Sequence, residues 1–200
     1  MGIRMRVSGP YACFTKPALH SERMSYEVMT PSAAVGILKA IYWKPEIEWV
    51  INRIHVLNPI QFTNIKTNEV RTKMSLHRNY IAVDDHRVQR NSYILIDVDY
   101  IIEAQFIFTG KEDTDSTKHK SIFERRLKKG QCFHTPWLGL RDFSAKFGPV
   151  DAIPVSTLKG EKHLGQLFYG FDYESSIENP PAIFFDAIMK DGIIEVPKLY

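Results

Sequence analysis

Lys118-His119-Lys120 sets an imidazole between two ammonium groups at the predicted start of a helix. Neighbouring cations disfavour the protonated ring, so His119 reads as a neutral base able to accept a proton near neutral pH. Adjacent helical residues point about 100° apart, so only one of Lys118 and Lys120 is expected to share a pocket wall with His119. The plainer reading is an idle histidine at a solvated helix start. A second candidate is Tyr42, in Ala40-Ile41-Tyr42-Trp43-Lys44-Pro45. Its ring falls one turn after Leu38, which predicts burial against a sheet. Its hydroxyl sits at a helix end, where it can emerge from the packed face or stay within it. Lys39 and Lys44 lie close by and can hold phosphate or simply be solvated.

Other chemistries find little support. Gly9-Pro10 and Gly130 do not make a phosphate-loop or dinucleotide spacing, and no Gly-x-Ser-x-Gly elbow is present. The seven histidines are scattered, without a metal-ligand spacing, so neither a metal nor a cofactor is expected. Cys13 and Cys132 are the only cysteines, far apart, too few for a disulfide scaffold or a zinc cluster. A reducing cytoplasm is the expected compartment. With 44% hydrophobic and 24% charged residues in 200, the chain reads as folded rather than disordered. No apolar run is long enough for a membrane span, and Arg4 and Arg6 are not followed by the apolar stretch of a secretion signal.

Charge is unevenly spread. The formal net charge is only +3, yet residues 1–150 hold 22 basic against 15 acidic side chains and residues 151–200 hold 4 against 8. A basic body with an acidic C-terminal part suits a polyanion on one face and a protein neighbour elsewhere.

These candidates need elements to position them. Ile3, Met5 and Val7 alternate with Arg4, Arg6 and Ser8, predicting a strand that ends at Gly9-Pro10. Residues 11–30 lack a period and read as a long loop or ill-defined hairpin. Thr30-Pro31 supplies an N-cap and a first-turn proline to a helix whose apolar residues run to Tyr42, with Pro45 as its stop. Residues 47–56 read as a β-branched strand, and residues 61–90 as a basic, exposed excursion carrying a short hairpin. From Ile94 to Phe108 eight apolar residues share one parity, the clearest strand in the chain. A second helix is predicted over 118–129 with Gly130 as its C-cap, and a further strand near Gln131–Phe133. Strands are also predicted at 143–147, 165–171, 182–189 and 193–196, with Asp191-Gly192 as a turn. The order is that of an α+β, ferredoxin-like (RRM-like) β-α-β-β-α-β domain over 1–133, with a smaller β-rich C-terminal part over 134–200. Both helices are expected on one sheet face, with Ile37, Leu38, Ile41, Ile122, Phe123 and Leu127 buried against Ile96, Val98, Tyr100 and Ile102.

The chain resembles a known family. Ser21-Glu22-Arg23-Met24-Ser25-Tyr26, Thr30-Pro31-Ser32-Ala33-Ala34 and above all Ala40-Ile41-Tyr42-Trp43-Lys44-Pro45 look like the type I-C (Dvulg) CRISPR-associated protein that processes precursor CRISPR RNA. Lys118-His119-Lys120-Ser121-Ile122, the run from Glu124 to Gly130, Leu138-Gly139-Leu140-Arg141-Asp142-Phe143 and Gly192-Ile193-Ile194-Glu195-Val196-Pro197 continue the likeness in order. After the second helix the chain departs from the Gly-Gly-Arg-Arg-Asp of some members and reads Lys129-Gly130-Gln131-Cys132-Phe133-His134. That departure bears on repeat recognition more than on cleavage.

The resemblance implies an endoribonuclease of CRISPR repeat RNA, held afterwards on the CRISPR RNA 5′ handle as a subunit of a Cascade surveillance complex. Its catalytic positions fall on Tyr42, Lys118 and His119. RNA is expected at Arg125, Arg126, Lys128 and Lys129, and in second rank at Arg71 and Lys73. Arg23, Lys39, Lys44, Lys120 and Arg141 complete the expected contacts. The expected reaction needs no metal. The ribose 2′-hydroxyl attacks its own phosphate, with a base, an acid and a cation supplied by the protein, to give a 2′,3′-cyclic phosphate and a 5′-hydroxyl. Which of Tyr42 and His119 is the base is left open. Two rivals stand beside this reading: a non-catalytic RNA-handle subunit, and a protein-interaction module without nucleic acid.

Overall fold

The computed structural model describes every residue except 1, 18, 20, 21, 73, 76–79, 111–113 and 200. In chain order the elements are β1 (Ile3–Ala12), β2 (Arg23–Met24), α1 (Pro31–Ile41), β3 (Ile47–Val56), β4 (Phe62–Val70), a single-turn α2 (Val83–His86) and β5 (Arg87–Phe108). Then follow α3 (Ser116–Lys129), β6 (Lys146–Gly148), β7 (Glu161–Phe171), β8 (Ala182–Lys190) and β9 (Ile193–Glu195). The fold is α+β and mostly antiparallel. One sheet runs β6-β1-β5-β3-β9-β8-β7, with β2 and β4 also paired to β5.

Strand β5 is the spine. It has 22 residues because three long partners use it in succession: β4 along Arg87 to Leu95, β1 along Leu95 to Ala104, and β3 along Tyr100 to Phe108. Its alternation from Ile94 is therefore only the sheet-embedded half of the strand. The other half lies in the expected excursion, where β4 and β5 form a hairpin exposed on one face and for the most part only half-buried on the other. With no core face, that half shows no apolar parity to read.

Two expectations need correction. β1 does not end at Gly9-Pro10: the ladder passes over Pro10, which has no N–H, and resumes at Tyr11 opposite Ile96. No strand forms at Gln131–Phe133. Gly130 closes α3 in the left-handed region (φ 63°), the Gln131 N–H donates back to the Arg126 carbonyl, and the Phe133 N–H donates to the Ala40 carbonyl. Those donors are then spent on the helix end and its neighbour, not on a ladder. β6 takes the sheet edge beside β1 instead, starting later than expected because Leu138 and Phe143 close a loop on themselves.

The helices begin as their caps dictate. The Thr30 side chain accepts from the Ala33 N–H ahead of Pro31, and the Asp115 side chain accepts from the N–H groups of Thr117 and Lys118. Ala34, Ile37, Leu38 and Ile41 of α1, with Phe123 and Leu127 of α3, join one core with Met5, Val7, Tyr100 and Ile102. Full burial of a side chain such as Phe123 contributes about 1.5–3 kcal/mol. Ile122 and Ile96 are only half-buried. The buried stripe of α3 is His119-Phe123-Leu127 at four-residue spacing, which leaves Ile122 on its shoulder. Burial pushes the Tyr100 hydroxyl well above its ordinary pKa, opposed by a hydrogen bond with the Met29 backbone. Burial likewise raises the Cys13 thiol, so it stays protonated, whereas Cys132 is exposed. Among the described residues no helix is long and apolar enough to cross a membrane.

A buried tyrosine and histidine at two helix ends

Helix α1 ends at Ile41, and Tyr42 is its C-cap, its own N–H bonded to the Leu38 carbonyl. The Trp49 Nε1–H donates to the Tyr42 carbonyl at 2.9 Å, fixing the backbone as it leaves the helix. Helix α3 starts nearby, and its stripe turns the His119 ring inward. The two side chains, 77 residues apart in sequence, meet with Tyr42 Oη 2.8 Å from His119 Nδ1. Each residue is only 2% exposed. A neutral Nε2–H imidazole accepts this bond from the phenol; an imidazolium donates it back to the phenolic oxygen. The contact is thus a path for a proton in either direction.

Aromatic rings wall the pair. Phe106 and Phe108 of β5 lie with their ring centres 5.9 and 6.0 Å from His119, and Trp49 packs on Phe106 and Phe123 at 5.5 and 5.0 Å. This lining escaped the sequence reading. Its only signal was the parity of Phe106 and Phe108, which reads equally well as ordinary core.

One cation packs on the pair and several others flank it in sequence. Lys118 is exposed on the first turn of α3, one residue from His119. Arg126 lies with its guanidinium carbon 5.3 Å from the Tyr42 ring centre and donates from Nη1 to the Ile41 carbonyl at 2.8 Å. It braces Tyr42 from within, a role its place in a basic helical run did not reveal. Lys39 and Lys44 are exposed on either side of Tyr42 in sequence. Lys120 lies 3.6 Å from Glu124, its partner one turn on. Arg125, Lys128 and Lys129 are exposed along α3.

The remaining expected contacts are more dispersed. Arg23 pairs with Glu69 of β4 at 2.5 Å, and the exposed Arg71 follows that strand. Arg141 is exposed, with its guanidinium carbon 5.5 Å from the Trp137 ring centre. Lys73 lies outside the described residues. Among the described residues no three His, Cys, Asp or Glu side chains gather. A phenol hydrogen-bonded to an imidazole, with a guanidinium over the phenol ring, is an arrangement suited to acid–base chemistry on an anion.

Comparison with known proteins bears on what that anion is. The family model described as CRISPR-associated protein (Cas_Cas5) matches residues 2–197. The CRISPR pre-crRNA endoribonuclease Cas5d of Mannheimia succiniciproducens is 43% identical, over 99% of this chain and 96% of its own. The protein of the same description from Thermus thermophilus is 37% identical, over 98% and 91%. Among solved structures, a crystal structure of a CRISPR-associated protein superposes with a TM-score of 0.75 at 27% identity, covering 99% of this chain and 92% of that one.

Proposed function

The chain belongs to the Cas5d family of CRISPR-associated proteins, and from that premise we propose that it cuts CRISPR repeat RNA at the Tyr42–His119 pair. The observation that carries the reading is the 2.8 Å bond joining the Tyr42 hydroxyl to His119 Nδ1. RNA brings its own nucleophile, a 2′-hydroxyl beside the phosphate it attacks. In the proposed step O2′ bonds to phosphorus, its proton passes to the protein base, and the P–O5′ bond breaks as an acid protonates O5′. The ends are a 2′,3′-cyclic phosphate and a 5′-hydroxyl. His119 and Tyr42 supply the base and the acid or share them through their hydrogen bond. Lys118 offsets charge on the pentacoordinate phosphorus. The pair is buried, so the substrate has to displace side chains at the two helix ends before it reacts.

After cleavage the protein stays on the 5′ handle as a subunit of a Cascade complex, its basic body on RNA and its acidic C-terminal part toward protein neighbours. The run β6-β1-β5-β3, with α1 between β1 and β3 and α3 between β5 and β6, supports a ferredoxin-like kinship. The test is labelled repeat RNA with excess chelator, and the same RNA carrying a single 2′-deoxynucleotide 5′ to the scissile phosphate. Cleavage should survive the chelator and stop with the deoxy substrate while binding persists. Cutting of the deoxy RNA, or loss of cutting with chelator in folded protein, removes the mechanism.

A further inference from the structure

The loop between α3 and β6 displays aromatic side chains where a folded chain has no use for them. Phe133 is 88% exposed. The exposed His134 stacks on Trp137 with ring centres 4.8 Å apart and planes 22° from parallel, and Phe133 meets His134 edge-on at 6.1 Å. Arg141 caps the group over the Trp137 ring. An exposed phenylalanine contributes almost nothing to folding, and a ring left in water beside other rings offers a flat apolar face to a ligand.

We propose that Phe133, His134 and Trp137, with Arg141, form a stacking platform for unpaired bases of the repeat RNA, a deepening that rests on the function proposed above. Three observations carry it. The aromatics are flanked in sequence by the exposed Arg125, Lys128, Lys129 and Arg141, with no acidic residue between them, charges that attract a phosphate backbone. His134 and Trp137 form one wall of a groove of about 460 Å³ whose other wall is α1 at Ser32, Gly36 and Lys39. That volume is within the roughly 300–1,000 Å³ range of small-molecule sites and admits a nucleotide. The platform is also tied to the reacting pair. The Phe133 N–H bonds the Ala40 carbonyl at 2.8 Å, two residues before Tyr42, and the Gln131 N–H bonds the carbonyl of Arg126, whose guanidinium lies over the Tyr42 ring. Bases held here lie next to the strand that reacts. Single-stranded RNA is read in this way, by splaying bases onto aromatic and guanidinium planes.

The test measures affinity for two RNAs, the repeat stem-loop with its unpaired flanks and the same stem trimmed of them. Phe133→Leu keeps apolar bulk but loses the π face, and should weaken binding of the flanked RNA by about tenfold. It should leave the trimmed stem and the salt slope of binding unchanged, whereas Phe133→Trp should bind as the wild type does. Equal affinity of Phe133→Leu and wild type for the flanked RNA overturns the platform and leaves the patch to a protein neighbour. An equal loss on both RNAs also overturns it. Wild-type cleavage in the same reactions reads the Tyr42–His119 chemistry separately. A wild-type protein that binds neither RNA removes both proposals.

Discussion

Replacing Tyr42 by phenylalanine deletes one oxygen and keeps the ring, with Arg126 at 5.3 Å and His119 at 5.9 Å. The deleted hydroxyl bonds a buried imidazole nitrogen. Losing a net hydrogen bond costs about 0.5–1.5 kcal/mol, and a buried partner left unpaired about 1–3 kcal/mol. A destabilisation of about 1–2 kcal/mol follows, or about 2–8 °C in melting temperature for a chain of this size. Tyr42→Ala also opens a cavity and should cost about 3–5 kcal/mol, which separates packing from hydroxyl. Activity should fall far more than stability does. Removal of a positioned acid or base slows the chemical step by about 10²-fold or more. The measurement is single-turnover cleavage of labelled repeat RNA at saturating protein, well below the melting point that circular dichroism gives for each variant. A Tyr42→Phe protein that cuts at the wild-type rate refutes the reasoning and makes Tyr42 a packed ring only.

His119→Ala and Lys118→Ala should each slow single-turnover cleavage by about 10²-fold or more, with RNA affinity nearly unchanged for His119→Ala. Charge reversal at Arg125 and Lys128, both exposed on α3, should weaken stem-loop binding and flatten its salt dependence without shifting the melting curve. A slope that stays the same puts the RNA on another face. Gly139→Ala should prevent folding or lower the melting temperature severely. A Cβ there meets the Cys13 carbonyl oxygen at 1.9 Å and Gly139 has φ +87°, so soluble variant protein with wild-type melting contradicts the close approach.

What could be read from the chain alone divides by how local its cause is. Thr30-Pro31 and Gly130 mark helix ends through backbone chemistry within four residues, and both stand in the structure as expected. The parity of β5 was legible only where one face is buried; between Arg87 and Asn91 neither face is buried and the strand carries no period. Gln131–Phe133 reads as a strand only from its place after the second helix in the element order, but the helix end engages its donors. At the site, residue types at helix ends pointed to Tyr42 and His119. Their meeting is set by the packing of α1 and α3 on a shared sheet, which no local pattern encodes. Arg126 illustrates the converse: its neighbours in sequence are exposed cations, while it alone of that run turns inward onto a tyrosine ring.

The backbone of the loop from Gln131 to Ala145 is tied by main-chain hydrogen bonds, with the Leu138 side chain buried in the core. The Phe133 N–H reaches the Ala40 carbonyl, the Cys13 N–H the Leu138 carbonyl, the Leu138 N–H the Phe143 carbonyl, and the Ala145 N–H the Pro136 carbonyl. None of these bonds consults the side chains at 133, 134, 137 or 141. The frame therefore tolerates exchange at the displayed positions while the Tyr42–His119 pair stays put. Under the proposed function, a lineage whose repeats drift in sequence can follow that drift by changing the displayed residues alone, leaving the cutting step and the fold untouched.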